Sequence, residues 1–173
     1  MASTRARRVA ESVTDPELPM LTLADLGVLR SVEIVDGAVE VAITPTYSGC
    51  PAMATMRDDL VRRLQEEGFA DVRVRVALDE PWTTDWITPR GRAALREAGI
   101  SPPGPAAGPA SPSTRSTAGG PVPLTLLPVR RRVSCPRCGS DDVALTSEFG
   151  STACKALYRC RACLEPFDHV KEH

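Results

Sequence analysis

The chain has 173 residues, with 21 Lys and Arg against 22 Asp and Glu, 16 prolines, six cysteines and two histidines. That length holds one ordinary domain or two small ones, and a formal net charge of −1 argues against a chain built to coat nucleic acid or an anionic membrane. A hydrophobic share of 42% suffices for a packed core, and no apolar run approaches the about 20 residues that a membrane-spanning helix needs.

The basic start MASTRARRVA runs into acidic ESVTDPE instead of an apolar stretch, so it does not read as a secretory signal. The expected location is cytoplasmic, where cysteines point to metal ligation or reactive thiols before disulfides. Their placement is lopsided: Cys50 stands alone, while Cys135, Cys138, Cys154, Cys160 and Cys163 crowd the last quarter.

In chain order, Ser3 to Val13 reads as a short helix, and Leu23 to Leu26 as a further turn. Val28 to Val35 and Ala38 to Thr44 flank Asp36-Gly37, a pair that supplies the positive φ angles of a two-residue hairpin turn. In the second strand Val39, Val41 and Ile43 alternate with Glu40 and Ala42, predicting one buried face. Pro51 to Gly68 reads as a helix with Met53, Met56, Leu60 and Leu64 along one side, proline at its first position and glycine at its end. These methionines read as core filler instead of metal ligands. Val72, Val74, Val76 and Leu78 alternate with Arg73, Arg75 and Ala77 as a third strand, and Pro89 to Ala98 is a last short helix. The order predicts an α/β (α+β) domain over residues 1–100: a three-stranded mixed sheet packed with helices.

A composition break follows. From Ser101 to Pro123, proline and glycine make up 11 of 23 residues and Arg115 is the sole charge. Such a segment buries no core and loses backbone donors, so residues 101–128 read as an extended linker before a module at 129–173. The charge divides too: residues 1–100 carry 12 Arg against 16 acids, and residues 129–173 carry 8 basic against 6 acidic residues.

Cys50 lies in TPTYSGCPA, immediately before Pro51, where a strand turns into a helix. Outward-pointing amides and the positive end of the helix dipole favour a thiolate there, able to attack or to ligate a soft metal. Position alone leaves open a cysteine packed as a small hydrophobe. Asp15-Pro16-Glu17-Leu18-Pro19, alone, reads as a proline-stiffened acidic turn.

In combination DPELP, TLADLGVLRSVEI, the hairpin and TPTYSGCPAMATM resemble, over about residues 8–80, the iron–sulfur maturation domain of SufT-type proteins and eukaryotic cytosolic targeting factors. That resemblance implies a role in supplying or repairing clusters in client enzymes, with Asp15, Glu17 and Cys50 as cluster-transfer candidates.

The tail holds CPRCG and CRAC, two C-x-x-C knuckles formed by Cys135, Cys138, Cys160 and Cys163. Paired thiolates from two tight turns complete a tetrahedron, the closed arrangement in which zinc is held structurally. Four thiolates can also hold iron or an iron–sulfur cluster. A module this small needs the metal's binding free energy to fold. Arg130, Arg131 and Arg132 read as a solvated strand start, and a nucleic-acid role is the minority reading given so few aromatics. Cys154 is the odd thiol, read either as a buried apolar residue or as a second metal or partner contact. His169 and His173 are not needed as ligands.

PWTTDWITPRGRAALREAGISPP, CPRCGS and SEFGSTACKALYRCRACLEPFDHVKEH extend the resemblance to the PaaD family, accessory proteins of aerobic phenylacetate degradation that join the maturation domain to a zinc ribbon. It implies an accessory protein and not an enzyme, partnered with the multicomponent monooxygenase that epoxidises phenylacetyl-CoA. Its implied cofactors are a structural zinc and a transient iron or iron–sulfur cluster. The client that the resemblance implies is the 2Fe–2S reductase component. One thiolate cannot hold a cluster that takes four ligands, so a second Cys50 in a homodimer, an external thiol or a client cysteine would complete it. A non-catalytic adaptor within the oxygenase complex is the alternative. An enzyme in its own right is the weakest reading: there is no phosphate-binding glycine loop, nucleotide fingerprint or di-iron carboxylate–histidine set.

Overall fold

The computed structural model describes residues 1–47, 49–104 and 133–172. The N-terminal part contains α1 (Ala2–Glu11), β1 (Leu29–Val35), β2 (Ala38–Ile43), α2 (Met53–Glu66), β3 (Val72–Val76) and α3 (Pro89–Glu97). The three strands form a sheet in the order β1-β2-β3. The sheet is mixed because β1 and β2 pair as an antiparallel hairpin while β2 and β3 run parallel, with α2 as the crossover between them. Asp36 and Gly37 adopt φ of 50° and 84°, the left-handed pair that the hairpin turn requires.

Being central, β2 is covered more fully than its alternation predicts. Val39, Val41 and Ile43 are buried, and Ala42 on the other face is buried as well. In β3 the outer valines are less protected, and Val76 is exposed. Helix α2 lays Met56, Leu60 and Leu64 against the sheet at the i, i+4 spacing of one helical face. Each of these buried side chains contributes about 1.5–3 kcal/mol of apolar transfer free energy. Thr88 caps α3 by accepting from the Gly91 N–H, and Pro89 occupies the first turn where its missing donor costs nothing.

A polar network absent from the sequence reading holds this part together. The buried Asp25 carboxylate accepts from Thr22 Oγ1 at 2.9 Å and Thr88 Oγ1 at 2.9 Å, and it pairs with the Arg90 guanidinium. Gly27, at φ 75°, lies against the Trp86 backbone so closely that a Cβ there would meet Trp86 Cβ at 2.5 Å.

The C-terminal part is an antiparallel sheet of β4 (Val143–Ser147), β5 (Lys155–Cys160) and β6 (Pro166–Val170). Tyr158 and Phe167 stack across β5 and β6 with ring centroids 6.0 Å apart. The Arg130–Arg132 run lies outside the described residues, as does the expected linker from residue 105 onward.

The two parts touch. Ser101 bridges β6: its N–H donates to the Asp168 carbonyl at 2.8 Å, and the Val170 N–H donates to the Ser101 carbonyl at 3.1 Å. His169, fully buried, places Nδ1 3.2 Å from the same carbonyl. Val170 packs into the core of the N-terminal part with Leu18, Leu26, Met56 and Trp82. Strand β6 therefore buries both faces, one against its own sheet through Phe167 and the other against the neighbouring module through Val170.

Candidate functional site

Helix α1 leads into a turn built by Asp15. One oxygen of its buried carboxylate accepts from the backbone N–H groups of Glu17 and Leu18, both at 2.8 Å. This aspartate turn fixes the chain direction and leaves the Glu17 side chain aimed past it. Burial raises the proton affinity of Asp15, only partly offset by those two N–H donors and by the Lys155 charge.

The strand-to-helix connection after β2 brings Cys50 to the same place. The residue is half-buried, two positions before the Ala52 that caps α2. Its carbonyl accepts from the Met53 N–H at 3.4 Å, and its own N–H donates to the Tyr47 carbonyl at 3.4 Å. Two expectations need correction here. The helix begins at Met53 and not at Pro51, because residues 51–52 form a separate turn. The Cys50 thiol is also not acidified by the helix start: its pKa is raised. Burial is the main cause, the Ala52 N–H opposes it, and the negative charges of Glu17, Asp15 and Cys154 reinforce it. A helix dipole acts over one turn, and here its help is outweighed by desolvation and by anions from other elements.

Cys154 reaches the same pocket from the C-terminal part. It directly precedes β5, is 9% exposed, and its backbone carbonyl accepts from the Lys171 N–H at 2.9 Å. Its sulfur lies 3.1 Å from Thr152 Oγ1 and 3.8 Å from Glu17 Oε2. Burial raises the proton affinity of this thiol too; Thr152 and Lys155 lower it, while Glu17 and Asp15 raise it further. Asp15, Glu17, Cys50 and Cys154 thus line one pocket of about 20 Å³, floored by Leu18, Met56, Trp82 and Val170. Trp82 is anchored by its indole N–H, which donates to the Leu26 carbonyl at 2.9 Å. The nearby Lys155 ammonium is committed to Asp168 at 3.6 Å. Two thiols and two carboxylates around a small, partly apolar space reinforce one another's proton affinity and disfavour an anion there.

The second cluster is the tail's four cysteines. The sulfurs of Cys135, Cys138, Cys160 and Cys163 all lie within 4.8 Å of one another. Cys135 and Cys163 are 3.7 Å apart and Cys138 and Cys160 3.6 Å apart. A zinc–sulfur bond of about 2.3 Å in a tetrahedron implies an edge of about 3.8 Å, so the donor set fits a zinc ion. The Cys163 N–H donates to the Cys160 sulfur at 3.4 Å, and such amide donation brings the Cys160 pKa down to about 7. The first knuckle turns on Gly139, at φ 74°, whose N–H donates to the Cys135 carbonyl at 2.9 Å. Four sulfurs closed around one centre leave no open coordination position for chemistry.

Asp15, Glu17 and Cys50, singled out from the sequence, are therefore brought together by the fold. Cys154, read there as an odd thiol, joins them. Tyr47, Trp82 and Val170 were not anticipated in the site. Of the histidines, His169 joins the modules and His173 lies outside the described residues.

Comparison with known proteins follows the same division. A family described as iron–sulfur cluster assembly protein matches residues 5–76, and one described as PaaD zinc beta ribbon domain matches residues 120–171. The chain is 46% identical to a protein of Escherichia coli strain K12 named as one of the subunits of a "Putative 1,2-phenylacetyl-CoA epoxidase", over 92% of this chain and 86% of that protein. It is 30% identical to the Fe-S protein maturation auxiliary factor YitW of Bacillus subtilis strain 168, over 49% of this chain and 84% of the relative. Among solved structures, a DUF59 domain from Bacillus anthracis superposes with a TM-score of 0.51 at 23% identity, covering 54% of this chain and 91% of that one. That likeness shows the fold of the N-terminal part.

Proposed function

The chain belongs to the PaaD family, and on that premise we propose that it is an accessory protein of aerobic phenylacetate degradation that assists iron–sulfur assembly in the phenylacetyl-CoA ring-epoxidising monooxygenase. The observation that carries this reading is the convergence of Cys50, Glu17 and Asp15 on one pocket within the part that matches iron–sulfur assembly proteins. A cluster-handling site needs a thiolate at a partly open position, and Cys50 is the half-buried cysteine of the pocket.

The raised pKa of Cys50 suits a residue that ligates transiently. At neutral pH it stays a thiol until a cation is near, and the proton leaves as the metal binds. Glu17 lines the same pocket and its charge acts on the Cys50 thiol, while Asp15 holds the turn that carries Glu17. The apolar floor of Leu18, Met56, Trp82 and Val170 limits water at the sulfur.

In this reading the four-cysteine ribbon holds zinc and builds the surface that docks the client, the 2Fe–2S reductase component. Zinc there would neutralise the clustered thiolates and supply folding free energy. The protein acts in the cytoplasm alongside that client, without catalysing the oxygenation.

The test is made in cells that depend on this chain for phenylacetate growth. The reductase is purified from cells carrying wild type or Cys50→Ala, and its iron and sulfide are counted. The expected result is a reductase depleted of cluster with the variant, at unchanged accessory-protein level. Equal cluster content in both would overturn the reading and favour a structural adaptor.

A further inference from the structure

Each module closes a core of its own, and the two share Val170. Among the described residues the ribbon's core is Val133, Cys135, Cys160 and Phe167, with Val143 and Tyr158 against it, and it includes no residue of the N-terminal part. Val170 is the ribbon residue that enters the other core. Around it lie short polar contacts. The Ser101 N–H donates to the Asp168 carbonyl, and the Val170 N–H donates to the Ser101 carbonyl. His169 Nδ1 lies 3.2 Å from that same carbonyl, and the Gly104 N–H donates to Glu172 at 3.2 Å. The Cys154 sulfur rests 3.8 Å from Glu17 Oε2. Two bodies that close their own cores and meet through one apolar side chain and a few polar bonds separate at lower cost than either unfolds.

The place of this contact gives it a consequence. Val170 and Cys154 from the ribbon, with Leu18, Cys50, Met56 and Trp82 from the N-terminal part, line the pocket of about 20 Å³. Cys50 packs against the same core that Val170 enters. Such a space holds about one water molecule. A 2Fe–2S cluster has four heavy atoms and needs further ligands around it, so it does not fit in this pocket while Val170 and Cys154 are in place. Lifting the ribbon takes both of those walls away at once.

We propose that the docked ribbon is an autoinhibitory cover on the maturation site: Val170 and Cys154 close the Cys50 pocket at rest, and the ribbon lifts as a folded unit to admit a cluster or a client thiol. The proposal rests on the reading that Cys50 handles iron, and it adds a control to that reading. Val170 is the plug, and the pairing of Ser101 with β6 is the clasp. Metal held by the four cysteines would keep the ribbon folded when the clasp opens. A client that holds β6 more tightly in the lifted form than in the docked one shifts the balance toward the open site.

The experiment uses the full chain with its ribbon saturated by zinc, in anaerobic buffer without client. Cys50 and Cys154 are alkylated with iodoacetamide and, separately, with a bulky maleimide, and each site is followed by peptide mass spectrometry. Both reagents attack the thiolate, so the ratio of their rates cancels the ionisation of the thiol and reads the room around it. Val170→Asp sets a charge in the apolar contact. It should raise the maleimide-to-iodoacetamide ratio at Cys50 by more than about 10-fold, the change that about 1.4 kcal/mol of lost docking produces. The ratio at Cys154 should rise with it, since one motion uncovers both. Helical circular dichroism and zinc content establish that both modules stay folded. Where Val170→Asp is poorly folded, Ser101→Pro supplies the comparison, because it removes the donor to Asp168 without touching the pocket. In wild type the Ser101 and Val170 amides, bonded across the contact, should exchange hydrogen at one common rate, faster than the amides of β2 and β5.

An unchanged ratio at Cys50 in the folded released variant would overturn the proposal. So would Ser101 and Val170 amides protected as strongly as those of β2, or uncovering of Cys154 while Cys50 keeps its wild-type ratio. The functional reading fails separately. Opening as described with normal client clusters in Cys50→Ala would leave the cover standing and remove its role in maturation. Depleted client clusters in Cys50→Ala with unchanged ratios in the released variant would do the reverse.

Discussion

Val170 belongs to the C-terminal sheet but is buried in the core of the N-terminal part, 4% exposed. Replacing it by alanine removes two methyl groups, at about 0.8 kcal/mol each for the transfer to water. The residual cavity beside Met56 and Trp82 adds to that, giving a loss of about 2 kcal/mol. For a chain of this size about 2–4 °C of midpoint is lost per kcal/mol, so the transition should fall by about 4–8 °C.

The choice of signal makes the test specific. Every α-helix among the described residues lies between Ala2 and Glu97, so far-ultraviolet helical dichroism follows the N-terminal part. The Tyr158–Phe167 stack gives a near-ultraviolet signal for the ribbon once the spectrum of Tyr158→Phe is subtracted, since Trp82 and Trp86 of the N-terminal part absorb in the same region. Both transitions should move together in Val170→Ala. A helical transition unchanged by a substitution in β6 would refute the claim that the modules share a core. It would also remove the basis for placing Cys154 beside Glu17.

Two further outcomes follow from the same contacts. Purified protein should carry about one zinc per chain. A chelator that removes it should abolish the ribbon's near-ultraviolet signal and lower the helical midpoint as well, since Val170 and His169 lose their scaffold. A ribbon that keeps its signal without metal would contradict this. The Asp25 carboxyl concerns acid stability. Burial raises its pKa, but hydrogen bonds from Thr88, Thr22 and Arg90 outweigh that and hold it below the ordinary 3.8. A carboxyl depressed in the folded state contributes stability above its unfolded pKa and loses it as pH falls through the folded value. The gap in urea midpoint between wild type and Asp25→Asn should be full at about pH 6 and close as pH drops below about 3.8. A gap independent of pH would contradict the ionised network.

What could be read from the sequence is what short-range rules determine. Asp36-Gly37 specified its hairpin because only a left-handed turn joins two adjacent twisted strands there. Helix α2 was visible in the i, i+4 spacing of Met56, Leu60 and Leu64, and the four-cysteine cluster in two C-x-x-C spacings. The start of α2 differs from the sequence expectation because Pro51 is compatible with both a first helical turn and the preceding loop. The acidity of Cys50 differs for another reason. A helix-end argument counts only neighbours in sequence, whereas its thiol responds to burial and to Glu17, Asp15 and Cys154. The same applies to the Cys154–Glu17 contact, made across 137 positions, and to Asp25, whose partners Thr88 and Arg90 lie 63 and 65 positions away. No periodicity encodes such meetings. In β6 a signal existed: Val170 breaks the alternation of Phe167 and His169, as a strand buried on both faces does.

The most direct test of the account is cluster transfer in a defined mixture. The full chain, supplied anaerobically with iron(III) citrate and sulfide, is mixed with the cluster-free reductase component, and recovery of the 2Fe–2S absorption and of reductase electron transfer is followed in time. The account predicts faster and more complete recovery with wild type than with iron and sulfide alone, and no gain with Cys50→Ala. Equal recovery with wild type and Cys50→Ala would contradict it.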